Sequence, residues 1–518
     1  MKLTTLLSVT FIFFLGALQA AKPNFIIIFA DDQGYGDLSC FGSKTIDTPN
    51  IDRIGKEGRK FTSFMVASPV CTPSRAALLT GCYPKRVGMH QHVLFPSSTK
   101  GLNPNEHTIA DHLKGQGYAT ACFGKWHLGH HKEVLPTSNG FDTYFGIPYS
   151  NDMNHPDNRG KPRGGWQGMD ILWNDPKSTL TKWKTPLFED EEIIEVPVDQ
   201  RTITRRCTQK SIDFIKANKD KPFFVYLPHS MPHIPLYVPD EIRDPDPKNA
   251  YINTIEHIDS EVGRLLKTLD DLKLVNNTYV IYTTDNGPWL QFRHHGGSAG
   301  PLREGKGTTF EGGQRVPCVM RGPGIPAGTV CDELTGTIDV LPTIAALTGK
   351  PLPTKHKVDG LDASGLWKGT AKKSPRKEFL HYTSRGDIEG IRSGNWKLLV
   401  KKPRRNNAAK GQFHLFDLAN DMGEKNNLAQ AKPEVVKDLQ ARMKTLDAEI
   451  AENARSPWFK EQAWSFLPTH EPYGLHPLPS CPAATLETRT DTSRILVESA
   501  SFLATVGRHS LENNQALA

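Results

Sequence analysis

Three continuous apolar runs, far apart in the chain, are each followed directly by polar residues, and this pattern restricts the fold more than any other feature. The runs cover residues 25–30, 223–227 and 278–284, and they are followed by Asp31-Asp32, Pro228-His229 and Asp285-Asn286. Unbroken apolar runs of this length indicate strands buried on both faces of a parallel sheet. Because open α/β sheets bind ligands at the carboxyl ends of their strands, the polar residues should meet at one edge. We therefore expect an α/β fold with a central, mainly parallel sheet flanked by helices.

The sequence pattern of the 518-residue chain changes near residue 370, and this change favours one large domain followed by a smaller one. Residues 151–199 are rich in Gly, Pro and Trp, and we predict a surface excursion that shapes a pocket. Strand-like segments and an amphipathic helix over 433–453 come after residue 376. The predicted parts are a signal peptide at 1–20, a large α/β domain at 22–370, a smaller C-terminal α+β domain with an antiparallel sheet at 376–460, and a tail of uncertain structure at 470–518.

The N-terminus has the pattern of an export signal. Lys2 precedes an apolar stretch from Leu6 to Leu18, and cleavage could follow Ala20. A buried N-terminal helix is the alternative. The stretch is too short to cross a bilayer and nothing later is long enough, so we expect no membrane span. We predict a bacterial protein that is exported and is either periplasmic or secreted.

Composition and charge exclude some classes of function. The net charge of +7 is small for this length and does not by itself indicate a protein that binds nucleic acid. The eight cysteines form no CxxC pair and no zinc-ribbon spacing. Export would permit disulfides, and Cys318 with Cys331 is one candidate pair.

The paired polar residues after the first and third apolar runs suggest a metal site. Asp31, Asp32, Asp285 and Asn286 offer three carboxylates and one amide oxygen, and adjacent buried carboxylates are costly without a cation. Oxygen ligands of this kind suit calcium or magnesium. Helix capping and turn formation are the ordinary alternatives, because Asp and Asn favour both.

Cys71 lies just ahead of a helical pattern that contains Pro73 and ends at Gly81. Free N–H groups at a helix N-terminus favour an anion, so a thiol there should have thiolate character. From spacing alone, the cysteine is either structural or a nucleophile with a histidine base.

Several motifs occur in order along the chain. They are FIIIFADDQGYGDLSCFG, CTPSR followed by AALLTG, CFGKWHLG, GFDTYFGIPYS, PHSMPHIP, TTDNGP and GPLREGKGTTFEGG. Together they resemble the type I sulfatases, of the arylsulfatase A and N-acetylgalactosamine-6-sulfatase kind, and the resemblance covers about residues 24–460. In that family, CTPSR followed by AALLTG is the signature at which cysteine is converted to formylglycine. The resemblance implies an alkaline-phosphatase-like catalytic domain over 22–370.

By this resemblance, Cys71 is a precursor that a formylglycine-generating enzyme oxidises to 3-oxoalanine. The hydrated aldehyde would take the sulfuryl group on one hydroxyl and release sulfate with the help of the other. Ca²⁺, with Mg²⁺ as the alternative, would be held by residue 71 and by Asp31, Asp32, Asp285 and Asn286.

The resemblance also assigns roles to basic residues. Arg75 would hold the hydrate oxygen or the metal shell, and Lys125, His127 and Lys306 would surround the sulfate oxygens. Lys125 and His127 stand two apart, so in an extended segment both would face the same way. Taken alone, each lysine would be a solvated surface charge.

Histidines and one serine complete the expected site. His233 in the His-x-Pro pattern would protonate the leaving alcohol, because a histidine titrates near neutral pH. His229 would lie nearby, and Ser150 would hydrogen-bond near the nucleophile and substrate. His294 and His295 fall in a Gly-rich segment, for which we predict a solvent-exposed loop.

The sequence thus predicts a sulfuric ester hydrolase that acts on a sulfated small molecule or glycan. Two alternatives remain. One is a phosphate or phosphonate ester hydrolase of the same superfamily, and the other is a sulfated-glycan binding protein with an inactive site.

Overall fold

The three apolar runs lie side by side at the centre of an eleven-stranded sheet. In the computed structural model its strands run in the order β11-β2-β10-β9-β1-β8-β4-β5-β6-β7, with β12 paired to β2. Their bounds are β1 Asn24–Ala30, β2 Arg59–Met65, β4 Ala119–Phe123, β5 Thr143–Gly146, β6 Leu187–Glu189, β7 Glu192–Glu195, β8 Phe223–Pro228, β9 Thr278–Thr284, β10 Arg315–Arg321, β11 Thr329–Cys331 and β12 Thr335–Gly336, while β3 Lys100–Gly101 lies outside this sheet.

The central strands β9, β1, β8, β4 and β5 are parallel to their neighbours. β10 is antiparallel to β9 on one side, and β6 and β7 form an antiparallel extension on the other. This confirms the predicted α/β class with a mainly parallel sheet.

Helices cover both faces of this sheet because side chains of each central strand alternate between two cores. In β1, Phe25, Ile27 and Phe29 belong to one apolar cluster, and Ile26 and Ile28 belong to the other. The helices are α1 Pro49–Lys56, α2 Cys71–Thr80, α3 Ile109–Lys114, α4 Gly165–Asn174, α5 Gln200–Ala217, α6 Ala250–Asp271, α7 Glu311–Gln314, α8 Val340–Thr348, α9 Ser364–Trp367 and α10 Pro433–Glu452.

The C-terminal part contains the predicted antiparallel sheet. Strands β13 Glu378–Tyr382, β14 Ile388–Ser393, β15 Trp396–Lys401 and β16 Gln412–Asp417 pair in sequence order, and β17 Trp458–Phe459 pairs with β3. Its apolar face shares a core with Met65 and Ala77 of the large sheet and its α2 helix.

The structure describes residues 22–153, 165–175, 183–401 and 412–460. The predicted signal peptide and the tail at 470–518 lie outside these residues. The described residues form one compact unit, and the predicted boundary near residue 370 stays a prediction. Within these ranges, no helix combines the length and the apolar character that crossing a membrane requires.

One local expectation is wrong. Cys318 and Cys331 lie on strands that flank β2 on opposite sides, each opposite Phe61. Their Cα atoms are therefore two strand spacings apart, about 9–10 Å, which is too far for a disulfide. The described part of the excursion at 151–199 contains α4 and the strands β6 and β7.

Candidate active site

Five neighbouring parallel strands deliver the predicted site residues to one edge of the sheet. Asp285 follows β9, Asp31 follows β1, Lys125 lies just after β4 and Ser150 lies after β5, while the segment after β8 carries His233. Residues from opposite ends of the chain therefore meet because their strands are adjacent and parallel.

The carboxyl groups that follow β1 and β9 are buried, and hydrogen bonds connect the two strand ends. The backbone N–H of Asp32 donates to Asp285 Oδ1 at 3.2 Å, and Asn286 Nδ2 donates to Asp32 Oδ1 at 2.7 Å. Asp32 has a positive φ of 64°, an uncommon conformation for a residue other than glycine. It turns the chain immediately after the strand.

Three basic side chains face these carboxylates. Arg75 donates from Nε and Nη2 to Asp285 Oδ2 at 3.0 and 2.8 Å. Lys306 Nζ donates to Asp32 Oδ2 at 2.7 Å, and Lys125 Nζ forms a short ion pair with Asp31 Oδ2. We call these six residues the catalytic cluster.

The charges of the cluster shift its carboxyl groups in different directions. Burial alone would raise the pKa of Asp31, but Lys125 and Arg75 outweigh it and hold that pKa well below its usual range. Burial and the charge of Asp31 raise the pKa of Asp285 to about 7, and burial also raises the pKa of Asp32. Three carboxyl groups this close are therefore difficult to ionise together without a further cation.

Cys71 is the first residue of α2 and is only 1% exposed. Its Sγ lies 3.3 Å from Asp31 Oδ1. The expected thiolate is wrong, because burial and the nearby Asp285 and Asp31 charges raise the pKa of the thiol well above its usual value. These charges outweigh the helix N-terminus, and they disfavour a cysteine nucleophile.

The oxygen atoms of this edge fit a hard divalent cation. Ligand atoms of Asp31, Asp32, Cys71 and His233 all lie within 4.8 Å of one another. Asn286 Oδ1 is buried and has no hydrogen-bond partner among the described residues, as expected of an atom that serves as a ligand. Carboxylate and amide oxygens are the donors that calcium prefers.

His233 is held by backbone and amide groups. Its Nδ1 lies 2.7 Å from the carbonyl oxygen of Ile234 and 3.0 Å from Asn151 Oδ1, so this nitrogen carries the hydrogen. Nε2 therefore faces Ser150 Oγ at 3.3 Å and Asp32 Oδ2 at 3.6 Å. Burial and Lys306 hold the pKa of His233 well below its usual value, in contrast to the near-neutral titration expected.

The backbone conformation at His127 differs from the extended one predicted. Its φ is 59°, so the segment from Lys125 is not extended and the argument from alternating side chains is wrong. His127 Nε2 lies 2.9 Å from the carbonyl oxygen of Leu94, while its Nδ1 has no partner among the described residues. Lys125 Nζ instead turns to Asp31 and to Ser150 Oγ, 3.1 Å away.

Three other histidines lie elsewhere. His229 is buried and is not among the residues that line the cavity; burial and His257 lower its pKa to about 3. His294 and His295 do not form an exposed loop, since His295 is 1% exposed and both rings contact Asp170.

A cavity of about 610 Å³ opens over residue 71. Much of its wall is apolar or aromatic, a composition suited to a ring-shaped ligand. Besides the site residues Cys71, His127, Ser150, His233 and Lys306, the wall includes His92, Val93, Phe95, Asp152, Met153, Trp289, Gln291, Phe292 and Ser384.

Sequence reasoning missed Asn151, Asp152 and Trp289. Asn151 and Asp152 come directly after the motif GFDTYFGIPYS, which ends at Ser150, so their position is the available signal. Asn151 also donates to the carbonyl oxygens of His233 and Pro235, at 3.3 and 3.0 Å. Trp289 lies under Lys306 Nζ, which is 4.0 Å from the ring centroid.

Comparison with known proteins identifies the family of this chain. The Sulfatase family model matches residues 23–350. Human (Homo sapiens) arylsulfatase A is 36% identical over 470 residues, which cover 84% of this chain and 90% of the relative.

Two solved structures are similar over most of their length. The PsFucS1 sulfatase from Pseudoalteromonas sp. aligns with a TM-score of 0.72 and 27% identity, covering 84% of this chain and 92% of that one. Ps i-CgsB in complex with k-i-k-neocarrahexaose aligns with a TM-score of 0.70 and 30% identity, covering 85% and 95%. The predicted enzyme class, sulfuric ester hydrolase, is confirmed by the arylsulfatase and steryl-sulfatase relatives. The chain belongs to the sulfatase family.

Proposed function

We propose that this chain hydrolyses sulfate monoesters of aryl or carbohydrate alcohols, giving the alcohol and inorganic sulfate. The observation that carries the proposal is the meeting of three carboxylates and three fixed cations around residue 71, which lines one cavity together with Lys306. Sulfuryl transfer spreads negative charge over the sulfate oxygens, and such a site can stabilise it.

Asp31, Asp32, Asp285 and Asn286, together with residue 71, would hold Ca²⁺, with Mg²⁺ as the alternative. The bound ion would supply positive charge beside the sulfate oxygens and the nucleophile. The raised pKa values of Asp32 and Asp285 support this assignment, because a divalent ion favours their ionised forms.

Cys71 would be oxidised to formylglycine, whose hydrate supplies one hydroxyl for sulfuryl transfer and a second for release of sulfate. The protonated state of the unmodified thiol supports this reading over a thiolate nucleophile. Because Cys71 is 1% exposed, the formylglycine-generating enzyme would have to act before the chain folds.

Lys125, Lys306 and His127 would orient the sulfate. Lys306 and His127 line the cavity, and Lys125 Nζ donates a hydrogen bond to Ser150 Oγ in its wall. Basic side chains would therefore surround the sulfate group on several sides. Arg75 would act on the carboxylates, because its guanidinium is engaged by Asp285 and by the carbonyl oxygen of Lys125.

His233 would give a proton from Nε2 to the oxygen of the leaving alcohol. Its neutral form carries hydrogen on Nδ1, so Nε2 must first gain a proton. The negative charge of a bound sulfate would raise the pKa of His233 and favour that gain. Asn151 would keep the ring oriented throughout.

The cavity supports a ring-shaped alcohol as the leaving group. Trp289, Phe292 and Phe95 offer apolar surface that suits an aryl or sugar ring. The complex of Ps i-CgsB contains an oligosaccharide, which adds support for a glycan substrate. The N-terminal pattern supports export of the mature protein.

Steady-state kinetics on paired 4-nitrophenyl sulfate and 4-nitrophenyl phosphate test the proposal. We expect kcat/KM to be higher for the sulfate ester, and both activities to be lost on replacement of Cys71 by Ala. A strong preference for the phosphate ester would favour the phosphatase alternative. No turnover of either ester, with retained binding of sulfated glycans, would favour the inactive binding protein.

A further inference from the structure

A second group of metal-type ligands lies apart from the catalytic cluster. Asp170 Oδ1 lies 2.7 Å from His294 Nε2 and 2.8 Å from His295 Nε2. Asp170 belongs to α4, and the two histidines end the short helical segment at 290–295 that comes after Trp289. One ligand atom from each of the three residues lies within 4.8 Å of the other two.

The convergence of two consecutive histidines is unusual. Neighbouring residues in a helix or strand point in different directions, yet the rings of His294 and His295 are 4.6 Å apart and reach the same oxygen. Arg293, just before them, has φ 52° and ψ −119°, a region that residues other than glycine rarely occupy. Such strain often accompanies a functional site.

The three side chains carry atoms that a metal could use. His295 is 1% exposed, and its Nδ1 has no hydrogen-bond partner among the described residues. Both rings reach Asp170 Oδ1 through Nε2, and a metal bound to these three atoms would take the place of the hydrogens between them. The guanidinium of Arg293 stacks on Trp166, 4.7 Å from the ring centroid, instead of pairing with Asp170.

Two imidazole nitrogens and one carboxylate oxygen form a donor set that zinc accepts and calcium does not favour. The side chains of Asp170 and His294 are 25% and 24% exposed, so an ion could enter from solvent and keep water as a further ligand. We propose that Asp170, His294 and His295 bind a zinc ion. The ion would fasten α4 to the 290–295 segment, and both border the cavity through Gly165, Gln291 and Phe292.

Zinc binding to the untagged, full-length protein in saturating Ca²⁺ tests this inference, because Ca²⁺ keeps zinc from the carboxylate site. Equilibrium dialysis followed by metal analysis should find one more equivalent of zinc in the unaltered protein than in His294→Gln. His414→Gln, which changes a histidine on β16, serves as the matched control and should keep that equivalent.

Asp170→Asn separates a metal site from a hydrogen-bonded cluster, because the amide oxygen can still accept from both rings but carries no charge. We expect this variant to lose the extra zinc. Co²⁺ in place of zinc should give visible d–d absorption bands in the unaltered protein that both cluster variants lack. Equal zinc content and equal Co²⁺ spectra in the unaltered protein, His294→Gln and Asp170→Asn would overturn the inference.

Discussion

Two clusters of buried charge in this molecule use the same residue types in different ways. The catalytic cluster contains three carboxylates and three cations beside a cavity. The second, which we call the interface cluster, joins α7 and β10 of the large sheet to the four-stranded sheet. It consists of Glu311, Arg315, Arg392, Lys397 and Glu424.

The balance of charge differs between them. In the interface cluster, Lys397 Nζ lies 2.9 Å from both Glu311 Oε1 and Glu424 Oε1. Lys397, Arg392 and Arg315 outweigh burial and lower the pKa of Glu311, although burial raises that of Glu424. In the catalytic cluster, by contrast, two of the three carboxyl groups have raised pKa values. The interface cluster has three cations for two carboxylates. The catalytic cluster has only one cation for each carboxylate, so its carboxyl groups leave room for the charge of a further cation.

The largest expected effect is on catalysis. Cys71→Ala should lower kcat/KM by roughly 10⁴-fold or more, because it removes the proposed nucleophile, while the unfolding temperature stays nearly unchanged. Cys207→Ala is the matched control, since it makes the same change at another buried cysteine, on α5. Assays with 4-nitrophenyl sulfate and thermal unfolding measure both. Comparable activity in the two variants would contradict the assignment of residue 71.

A change in the interface cluster should lower the stability of the protein and leave its activity intact. Lys397→Met leaves Glu311 and Glu424 buried without their shared cation, and we expect a loss of about 3–5 kcal/mol in the free energy of unfolding. Activity at low temperature should persist. Lys267→Met, in an exposed pair with Asp271, should cost about 0.5 kcal/mol or less. Denaturant unfolding compares them, and equal losses would remove the distinction drawn between buried and exposed pairs.

Calcium should stabilise the protein through the catalytic cluster alone. At a concentration of about 100 times its dissociation constant, it should add roughly 2.7 kcal/mol to the free energy of unfolding. Asp32→Asn should abolish this gain because it removes a ligand charge without changing the shape of the side chain. Glu424→Gln, the same kind of change in the interface cluster, should retain it. A calcium effect unaltered in Asp32→Asn would place the ion elsewhere.

The smallest effect concerns Asn151, which orients His233. Asn151→Ala should lower kcat by roughly 2–10-fold, in line with the loss of a hydrogen bond worth about 0.5–1.5 kcal/mol. The loss should be greater for an alkyl or sugar sulfate than for 4-nitrophenyl sulfate, since a good leaving group needs less protonation. A uniform loss across leaving groups would indicate a merely structural role.

Features that depend on local pattern were predictable from the sequence. The runs at 25–30 and 278–284 match β1 and β9 to within a residue, because unbroken apolar runs admit few other conformations. Parallel pairing then implied the meeting of Asp31 with Asp285. β4 and β5 are shorter and more mixed, so Lys125 and Ser150 were reached through family resemblance alone.

Features that depend on contacts between distant segments were not predictable. The direction of the Cys71 pKa shift is set by burial and by Asp285, more than 200 residues away, and not by the helix that Cys71 begins. The positive φ of His127 and the meeting of Asp170 with His295 likewise have no local signal. Local patterns identified the site, and long-range contacts determined its electrostatics.

The most direct test of the central claim is the mass of the peptide that contains residue 71, in active protein purified from its native host. Trypsin cleavage after Lys60 and Arg75 would release this residue in a short fragment. We predict the mass of an aldehyde at position 71 and capture of the fragment by a hydrazine reagent. A thiol that is fully alkylated after unfolding, in material that turns over sulfate esters, would contradict the proposal.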